Sequence, residues 1–190
     1  MNTKSFRFLW LPTLVAALLL SIAGCSGSNG TSSSTNITNS YAQSLWASRV
    51  EYIGDNAAVG SLLSQLGVDN RLGTFTMELQ TKAEPYVLTL HFDQTPEDTD
   101  IFTDQFHYYA DLLLALIKNC SQVDCTYPKA DNSSTAALSW TVQNANDTLN
   151  LDVKSCIDSA DGIQTLLDAI RTKNQDNPNI MTFYSDLENP

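Results

Sequence analysis

The chain has 190 residues, with 21 Asp and Glu against 10 Lys and Arg, and a formal net charge of −11 at pH 7. This acid excess repels nucleic-acid phosphates and anionic lipid head groups, which excludes a nucleic-acid partner. The acids are spread along the whole chain, so solubility is a sufficient explanation for most of them.

The first 24 residues show the three zones of a secretory signal peptide. Lys4 and Arg7 give a positive start, residues 8–20 are mostly apolar, and small residues follow. The apolar run is shorter than the about 20 residues that a membrane-spanning helix needs. We therefore expect residues 1–24 to be removed. Two cations and no acid are lost with them, which takes the net charge from −11 to −13.

The end of this signal, Ile22-Ala23-Gly24-Cys25, resembles the lipobox of bacterial lipoproteins. In such proteins the cysteine thiol takes a diacylglycerol group, and the cysteine becomes the mature N-terminus. Two acyl chains anchor a protein stably, whereas one chain anchors it only marginally. Cys25 is thus the expected lipidation site, and the alternative is an ordinary signal peptide. Lipidation would anchor the protein in the bacterial cell membrane, facing outward.

Three further segments are expected after the signal peptide. Residues 25–40 comprise the lipidated cysteine and a Ser-, Gly- and Asn-rich tether that has almost nothing apolar to bury. Such a flexible tether has a typical reach of roughly 20 Å. Residues 41–174 have the length of a single globular domain, and residues 175–190 are predicted to form a loosely ordered tail.

The domain begins with a predicted helix and a predicted hairpin. Asp55 and Asn56 offer a cap, apolar residues follow at helical spacing, and Gly67 ends the pattern. Residues 74–80 and 86–92 then alternate between apolar and polar, which predicts an antiparallel hairpin with one buried face.

The strongest helical signal covers residues 99–118, which are apolar nearly all round at their C-terminal end. Strands are predicted at residues 123–127 and 138–142, and a last amphipathic helix surrounds residues 163–170. These elements predict an α+β fold, with a mainly antiparallel sheet packed against a long central helix and additional short helices.

Residues 142–153 fit two structures. Leu149, Leu151 and Val153 alternate as in the second strand of a hairpin, whereas Thr141 could cap a helix that begins with the next residue. Periodicity alone does not decide between them.

The cysteines permit a disulfide. Cys120, Cys125 and Cys156 remain besides Cys25, and export places them in an oxidising compartment. An odd number leaves at least one thiol unpaired within the chain. We expect one intrachain disulfide, with the pairing open, and the spacing does not match the usual zinc sites.

No motif commits the chain to a chemistry. The His-Glu-x-x-His, Gly-x-Ser-x-Gly and Gly-rich phosphate-loop patterns are absent from the sequence. His107 shares a helix face with Asp104 and Asp111, which could bind a metal, but weak surface pairs are the commoner outcome of that spacing. We therefore expect no catalytic residue, no metal and no cofactor. Carboxylates such as Asp158 and Asp161 leave an envelope hydrolase as the alternative.

Three stretches, residues 52–56, 78–86 and 112–119, resemble an uncharacterised bacterial family, the domain of unknown function four-eight-two-five. The resemblance covers roughly residues 50–170. Similar domains occur in exported lipoproteins and on the extracytoplasmic part of membrane metallopeptidase sensors, which implies a sensory or interaction module and supplies no catalytic residues. The family pattern also favours a helix after Thr141.

The resemblance and the polar character of the hairpin together indicate a binding patch for an envelope protein or peptide. The alternative is that these residues only cap the first helix or are ordinary solvent-exposed residues of the hairpin. The candidate partner-binding residues are Asp55, Asn56, Glu78, Gln80, Thr81 and Tyr86.

Replacing Cys25 tests the predicted anchor. Cys25→Ala is expected to release or mislocalise the protein, because the predicted lipid is attached through this thiol. Membrane fractionation and mass spectrometry of the mature N-terminus provide the measurements, with Cys120→Ala as a control that stays on the membrane. An unmodified N-terminus at any residue other than Cys25 would contradict lipidation.

Overall fold

The computed structural model describes residues 41–131, 133–178, 180 and 181. The predicted signal peptide, the lipidation site Cys25 and the tether lie outside the described residues, as do residues 182–190 of the predicted tail. In the described part of the chain, no helix is both long enough and apolar enough to cross a lipid bilayer.

A helical segment at residues 41–47 precedes the other elements, which come as two helices, a pair of strands, one long helix, a second pair of strands and three more helical elements. They are α1 (Asn56–Leu66), α2 (Val68–Leu72), β1 (Phe75–Gln80), β2 (Val87–Phe92), α3 (Thr99–Leu116), β3 (Gln122–Pro128), β4 (Thr135–Thr141), α4 (Val142–Leu149), a 3-10 helix (Val153–Asp158) and α5 (Ala160–Lys173). The predicted α+β class is confirmed.

The four strands form one mixed sheet in the order β1-β2-β3-β4. The outer pairs, β1 with β2 and β3 with β4, are antiparallel, whereas β2 and β3 run parallel. The expected antiparallel arrangement therefore holds for the outer pairs and fails for the central one. Parallel neighbours need a long crossover connection, usually a helix, and α3 is that connection.

Helix α3 begins where Asp98 caps it, because Asp98 Oδ1 accepts hydrogen bonds from the backbone N–H groups of Asp100 and Ile101 at 2.9 and 3.0 Å. From Tyr108 to Leu116 every side chain of the helix is buried. The inner face of the sheet contributes a second set of buried apolar residues, Leu88, Leu90, Phe92, Val123, Cys125 and Tyr127. These residues and α3 belong to one continuous core.

The signals for helix ends in the sequence correspond to real caps. Asp55 Oδ1 accepts a hydrogen bond from the N–H of Ala58 at 3.0 Å, and Gly67 ends α1 in the left-handed conformation at φ 66°. Thr141 and Asn144 form a reciprocal capping box. This box starts α4, so residues 142–149 adopt the helix rather than the hairpin.

The expected disulfide is wrong, because Cys120, Cys125 and Cys156 are all free and buried. Cys125 lies in β3 three residues after Gln122, and Cys120 precedes that strand. Three residues of extended strand already cover about 10 Å, whereas bridged Cα atoms lie no more than about 7 Å apart. Burial raises the pKa of the Cys125 thiol to about 12 and that of Cys156 to about 11, which keeps both thiols protonated.

Ordered packing continues past residue 174, where the sequence placed the end of the domain. The side chain of Ile180 is fully buried, and Asn177 Nδ2 donates a hydrogen bond to Asp104 Oδ2 at 2.7 Å. The looser order expected of residues 182–190 stays a prediction.

Truncating a core residue of α3 should destabilise the whole domain. Leu113 has no exposed surface, so Leu113→Ala is expected to lower the free energy of unfolding by about 2–5 kcal/mol. Urea titration followed by circular dichroism measures this. Gln105→Ala, on the partly exposed face of the same helix, should change it by less than about 0.5 kcal/mol. Equal effects of the two changes would show that the core assignment is wrong.

Candidate functional site

Three segments that are far apart in the sequence meet at one end of the domain. They are the loop before α1 (52–55), the turn between β1 and β2 (81–86), and the connection from α3 to β3 (118–121). Ile53 N–H donates to Asn119 Oδ1 at 2.7 Å, and Ser121 N–H donates to the carbonyl of Tyr86 at 2.9 Å. We call this surface, with Lys154, Ile157 and Asp158 beside it, the hairpin-end site.

Gln80 holds the β1–β2 turn in shape. Its side-chain N–H group donates to the carbonyls of Ala83 and Pro85 at 2.8 and 3.1 Å, and its side-chain oxygen accepts from Lys82 N–H at 3.0 Å. Three hydrogen bonds from one side chain fix the backbone of the turn, so Gln80 acts in this structure as a brace.

The hairpin-end site contains an open cavity of about 370 Å³. Its walls combine hydrogen-bond donors, two carboxylates and one buried apolar side chain. The lining residues are Glu84, Tyr86, Lys118, Asn119, Cys120, Ser121, Lys154, Ile157 and Asp158.

Lys154 closes the floor of this cavity by binding the C-terminal end of α3. Its Nζ donates to the carbonyls of Leu114 and of Ile117, the latter at 2.8 Å. The last carbonyls of a helix have no partner within the helix, and a cation there is stabilising. Burial lowers the pKa of Lys154 to about 8. An ammonium has three N–H donors, and these two carbonyls accept two of them.

The thiol of Cys120 also faces this region but is not an activated nucleophile. Burial raises its pKa above the ordinary value, and the thiol donates a weak hydrogen bond to the carbonyl of Gln122 at 3.2 Å. A thiol held in its neutral form is a poor nucleophile. The cavity therefore offers polar recognition groups rather than an evident covalent mechanism.

The predicted patch residues divide into two groups. Tyr86 lines the cavity, and Thr81 lies against the loop before α1, with its methyl group 3.8 Å from where a Cβ on Gly54 would be. Asp55 caps α1, and the exposed Asn56 is the first residue of that helix. Of these four predicted residues, Asp55, Thr81 and Tyr86 therefore belong to the hairpin-end site, and Asn56 lies immediately beside it.

Glu78 belongs to a different polar group, on the face of the sheet that points away from α3. Its carboxylate lies 3.0 Å from His91 Nε2, and His91 Nδ1 lies 2.8 Å from Thr126 Oγ1. The histidine thus links β1 to β3 across β2. This link gives Glu78 a structural role that needs no partner.

The candidate metal ligands of α3 serve packing instead. Asp104 accepts the hydrogen bond from Asn177, and the buried Asp111 accepts one from Trp140 Nε1 at 2.7 Å. The His107 ring stacks on Trp140 with 4.0 Å between centroids, and burial lowers its pKa. Within residues 41–131, 133–178 and 180–181, no three His, Cys, Asp or Glu side chains are grouped so as to hold a metal ion.

Tyr86 is the one lining residue of the cavity among the candidate binding residues of the sequence analysis, and Asn119 and Lys154 show why others were missed. Asn119 ends one of the family-like stretches, and its role depends on a contact with Ile53, 66 positions away. Lys154 sits between hydrophobic residues of a short 3-10 helix. The signal that could have indicated it is a lysine next to Val153 and close to Cys156 and Ile157, which are all buried, because a lysine is rarely placed among buried residues unless it is paired.

Asp111 makes the stability of the domain depend on pH. Burial raises its folded-state pKa from 3.8 to about 7, against a smaller opposing effect of the Trp140 hydrogen bond. A raised carboxyl pKa contributes stability below about pH 4, and this contribution is lost as the pH rises to about 7. The loss is of the order of 4 kcal/mol.

Asp111→Asn keeps an oxygen acceptor for Trp140 and cannot ionise. The variant is expected to match the wild type near pH 4 and to be more stable at pH 8. Chemical denaturation at a series of pH values measures this difference. Asp176→Asn changes an exposed carboxylate and should leave the profile unchanged. Parallel profiles for wild type and Asp111→Asn would refute the role of this carboxyl.

A comparison with protein families identifies the domain. The family model described as Domain of unknown function (DUF4825) matches residues 45–139, which is half of the chain. The match contains all three stretches that converge at the hairpin-end site and stops before α4, so it ends earlier than the resemblance expected up to residue 170. No curated protein and no solved structure matches the chain. The chain therefore belongs to the DUF4825 family.

Proposed function

We propose that this protein is a lipid-anchored module on the outer side of the bacterial cell membrane that binds an envelope protein or a peptide. It performs this role by recognition and not by catalysis, and the hairpin-end site is its binding surface. A sensory role follows if the bound partner reports on the state of the envelope.

The observation that carries this proposal is the convergence of three separate loops at one end of the domain. Loops held by a rigid scaffold are where binding residues concentrate. Here the scaffold consists of the buried end of α3 and the start of β3, joined to the loop before α1 by the bond from Ile53 to Asn119. Family membership adds support, since the matched region contains all three loops.

The chemistry of the surface suits a polypeptide partner. Tyr52, in the loop before α1, is 66% exposed and is the large apolar side chain that stands out among the described residues. Exposed tyrosines are frequent anchors in protein interfaces. Beside it, the cavity offers donors from Asn119 and Ser121 and acceptors from Glu84. Peptide groups need both kinds of partner.

An envelope hydrolase is the second candidate, because Glu84 and Asp158 border the same cavity. A pair of catalytic carboxyls works when the environment of one of them keeps it protonated, usually by burial. Both side chains are exposed here, which favours binding over hydrolysis. Glu84→Gln combined with Asp158→Asn would abolish a hydrolytic activity of this site.

Photocrosslinking from the membrane-bound protein tests the binding role. A photoreactive amino acid at position 84 should capture a partner, and a matched probe at exposed Lys173 on α5 should not. Tyr52→Ala in the first of these proteins is expected to reduce capture about tenfold, the effect of losing about 1.4 kcal/mol at an interface anchor. The melting temperature should stay unchanged, because Tyr52 is exposed.

Two outcomes would contradict the proposal. One is equal capture from positions 84 and 173. The other is undiminished capture after Tyr52→Ala, which would remove the hairpin-end site from the interface.

A further inference from the structure

Strand β4 exposes one edge of the sheet, and its register shows which backbone groups face outward. At one end of the β3–β4 pair, Val142 N–H donates to the Ser121 carbonyl, and at the other Lys129 N–H donates to the Ser134 carbonyl. Both pairs fit the register that places Cys125 opposite Leu138. Opposed residues alternate between bonded and non-bonded pairs along an antiparallel ladder. Alternate residues of β4 therefore turn their backbone groups away from β3.

The outward-facing residues are Thr135, Ala137 and Ser139. Each presents an N–H and a C=O group on the side where no strand of the described part of the chain is paired. The next residue of this series, Thr141, differs because Asn144 Oδ1 already accepts its N–H. Three residues of β4 thus form an unpaired edge with six backbone hydrogen-bonding groups.

Among the described residues, β4 carries neither of the two residue types, charges and prolines, that most directly prevent strand addition. Proteins protect edge strands with charges, prolines, bulges or a covering segment. The sequence of β4, Thr-Ala-Ala-Leu-Ser-Trp-Thr, has neither a charge nor a proline.

We propose that the β4 edge binds an extended, positively charged segment of a partner protein, which adds to the sheet as a fifth strand. This docking surface lies outside the cavity of the hairpin-end site and does not depend on the function proposed for it. Main-chain hydrogen bonds supply affinity in this mode of recognition, and alternate side chains supply specificity.

The sign of the partner's charge follows from the open face of the sheet. Asp124 of β3 lies opposite Ser139 of β4 and shares that face. Its carboxylate accepts hydrogen bonds from Gln122 Nε2 at 2.9 and 3.0 Å, and a carboxylate has about four lone-pair sites. An added strand would lie two strand spacings, about 10 Å, from β3. A lysine or arginine of the added strand, placed opposite Ser139, can extend over this small side chain and bring its charge near the Asp124 carboxylate.

The inner face of β4 favours apolar side chains in the partner segment. Ala136, Leu138 and Trp140 point to the inner layer and are only partly buried. Apolar side chains at alternate positions of an added strand would cover them. A second copy of this chain fits less well, because the domain carries a large excess of acids and like charges oppose self-association.

A synthetic heptapeptide of alternating lysine and valine, blocked at both ends, is the probe for this edge. Its Kd is measured by NMR titration of the purified full-length protein, with hydrogen exchange of the backbone amides. Binding should protect the N–H groups of Ala137 and Ser139. A peptide of the same composition without alternation, and one with glutamate in place of lysine, should bind at least about tenfold more weakly.

Two variants locate the binding to the edge. Ala137→Pro removes an outward N–H without removing a bond to β3, and it should raise the Kd about fivefold or more. Asp124→Asn leaves the backbone intact, and it should raise the Kd about threefold and weaken its dependence on salt. Glu78→Gln, which changes a carboxylate on the same face in β1, is the matched control and should leave the Kd unchanged.

The proposal is overturned if the alternating peptide fails to bind, if it binds without protecting Ala137 and Ser139, or if Asp124→Asn and Glu78→Gln behave alike. Asp124→Asn decides the matter should Ala137→Pro fail to fold. Sedimentation of the protein alone provides the remaining check. A dimer that Ala137→Pro dissociates would identify a second copy as the occupant and would also overturn the proposal.

Discussion

The burial of the C-terminal half of α3 is the constraint on which the rest of the domain depends. From Tyr108 to Leu116 no side chain of this helix faces solvent, so the sheet can cover only part of its circumference. The last carbonyls of the helix are buried as well and need partners from outside it. Lys154 supplies one set of donors, and Val50 supplies another through its N–H to the Leu116 carbonyl at 2.8 Å. Segments near the beginning and near the end of the domain, at Val50 and at Lys154, therefore meet at the C-terminal end of α3.

That point is also where the candidate site lies. The residues that satisfy the end of α3 stand next to the loops that form the hairpin-end site, so the proposed binding surface adjoins the fully buried C-terminal end of that helix. A rigid base of this kind lets exposed side chains such as Tyr52 and Glu84 vary without loss of the fold. The β4 edge differs in kind, because its recognition groups belong to the backbone and its neighbours are small side chains.

Local signals in the sequence were sufficient for most elements and insufficient for their arrangement. Asp55 and Asp98 begin helices and Gly67 ends one, all through contacts within a few residues, and such contacts leave a recognisable pattern in the sequence. The parallel pairing of β2 with β3 left no comparable pattern, because alternation on each strand is the same in either orientation. Asn119 and Lys154 were missed for a related reason. Their partners lie 66 and about 40 positions away, so only the folded chain makes their roles visible.

The attachment of the N-terminal segment has a mechanical consequence. Trp46 Nε1 donates to the carbonyl of Ile157 at 2.9 Å, and Val50 pairs with Ile117 in a short parallel bridge. Force applied at the start of this segment reaches the domain through these two connections and through the buried side chains of Ala42 and Leu45. Ile157 is a wall of the cavity and Ile117 immediately precedes another wall residue, Lys118. Tension on the N-terminal side would therefore act directly on the wall of the cavity at Ile157.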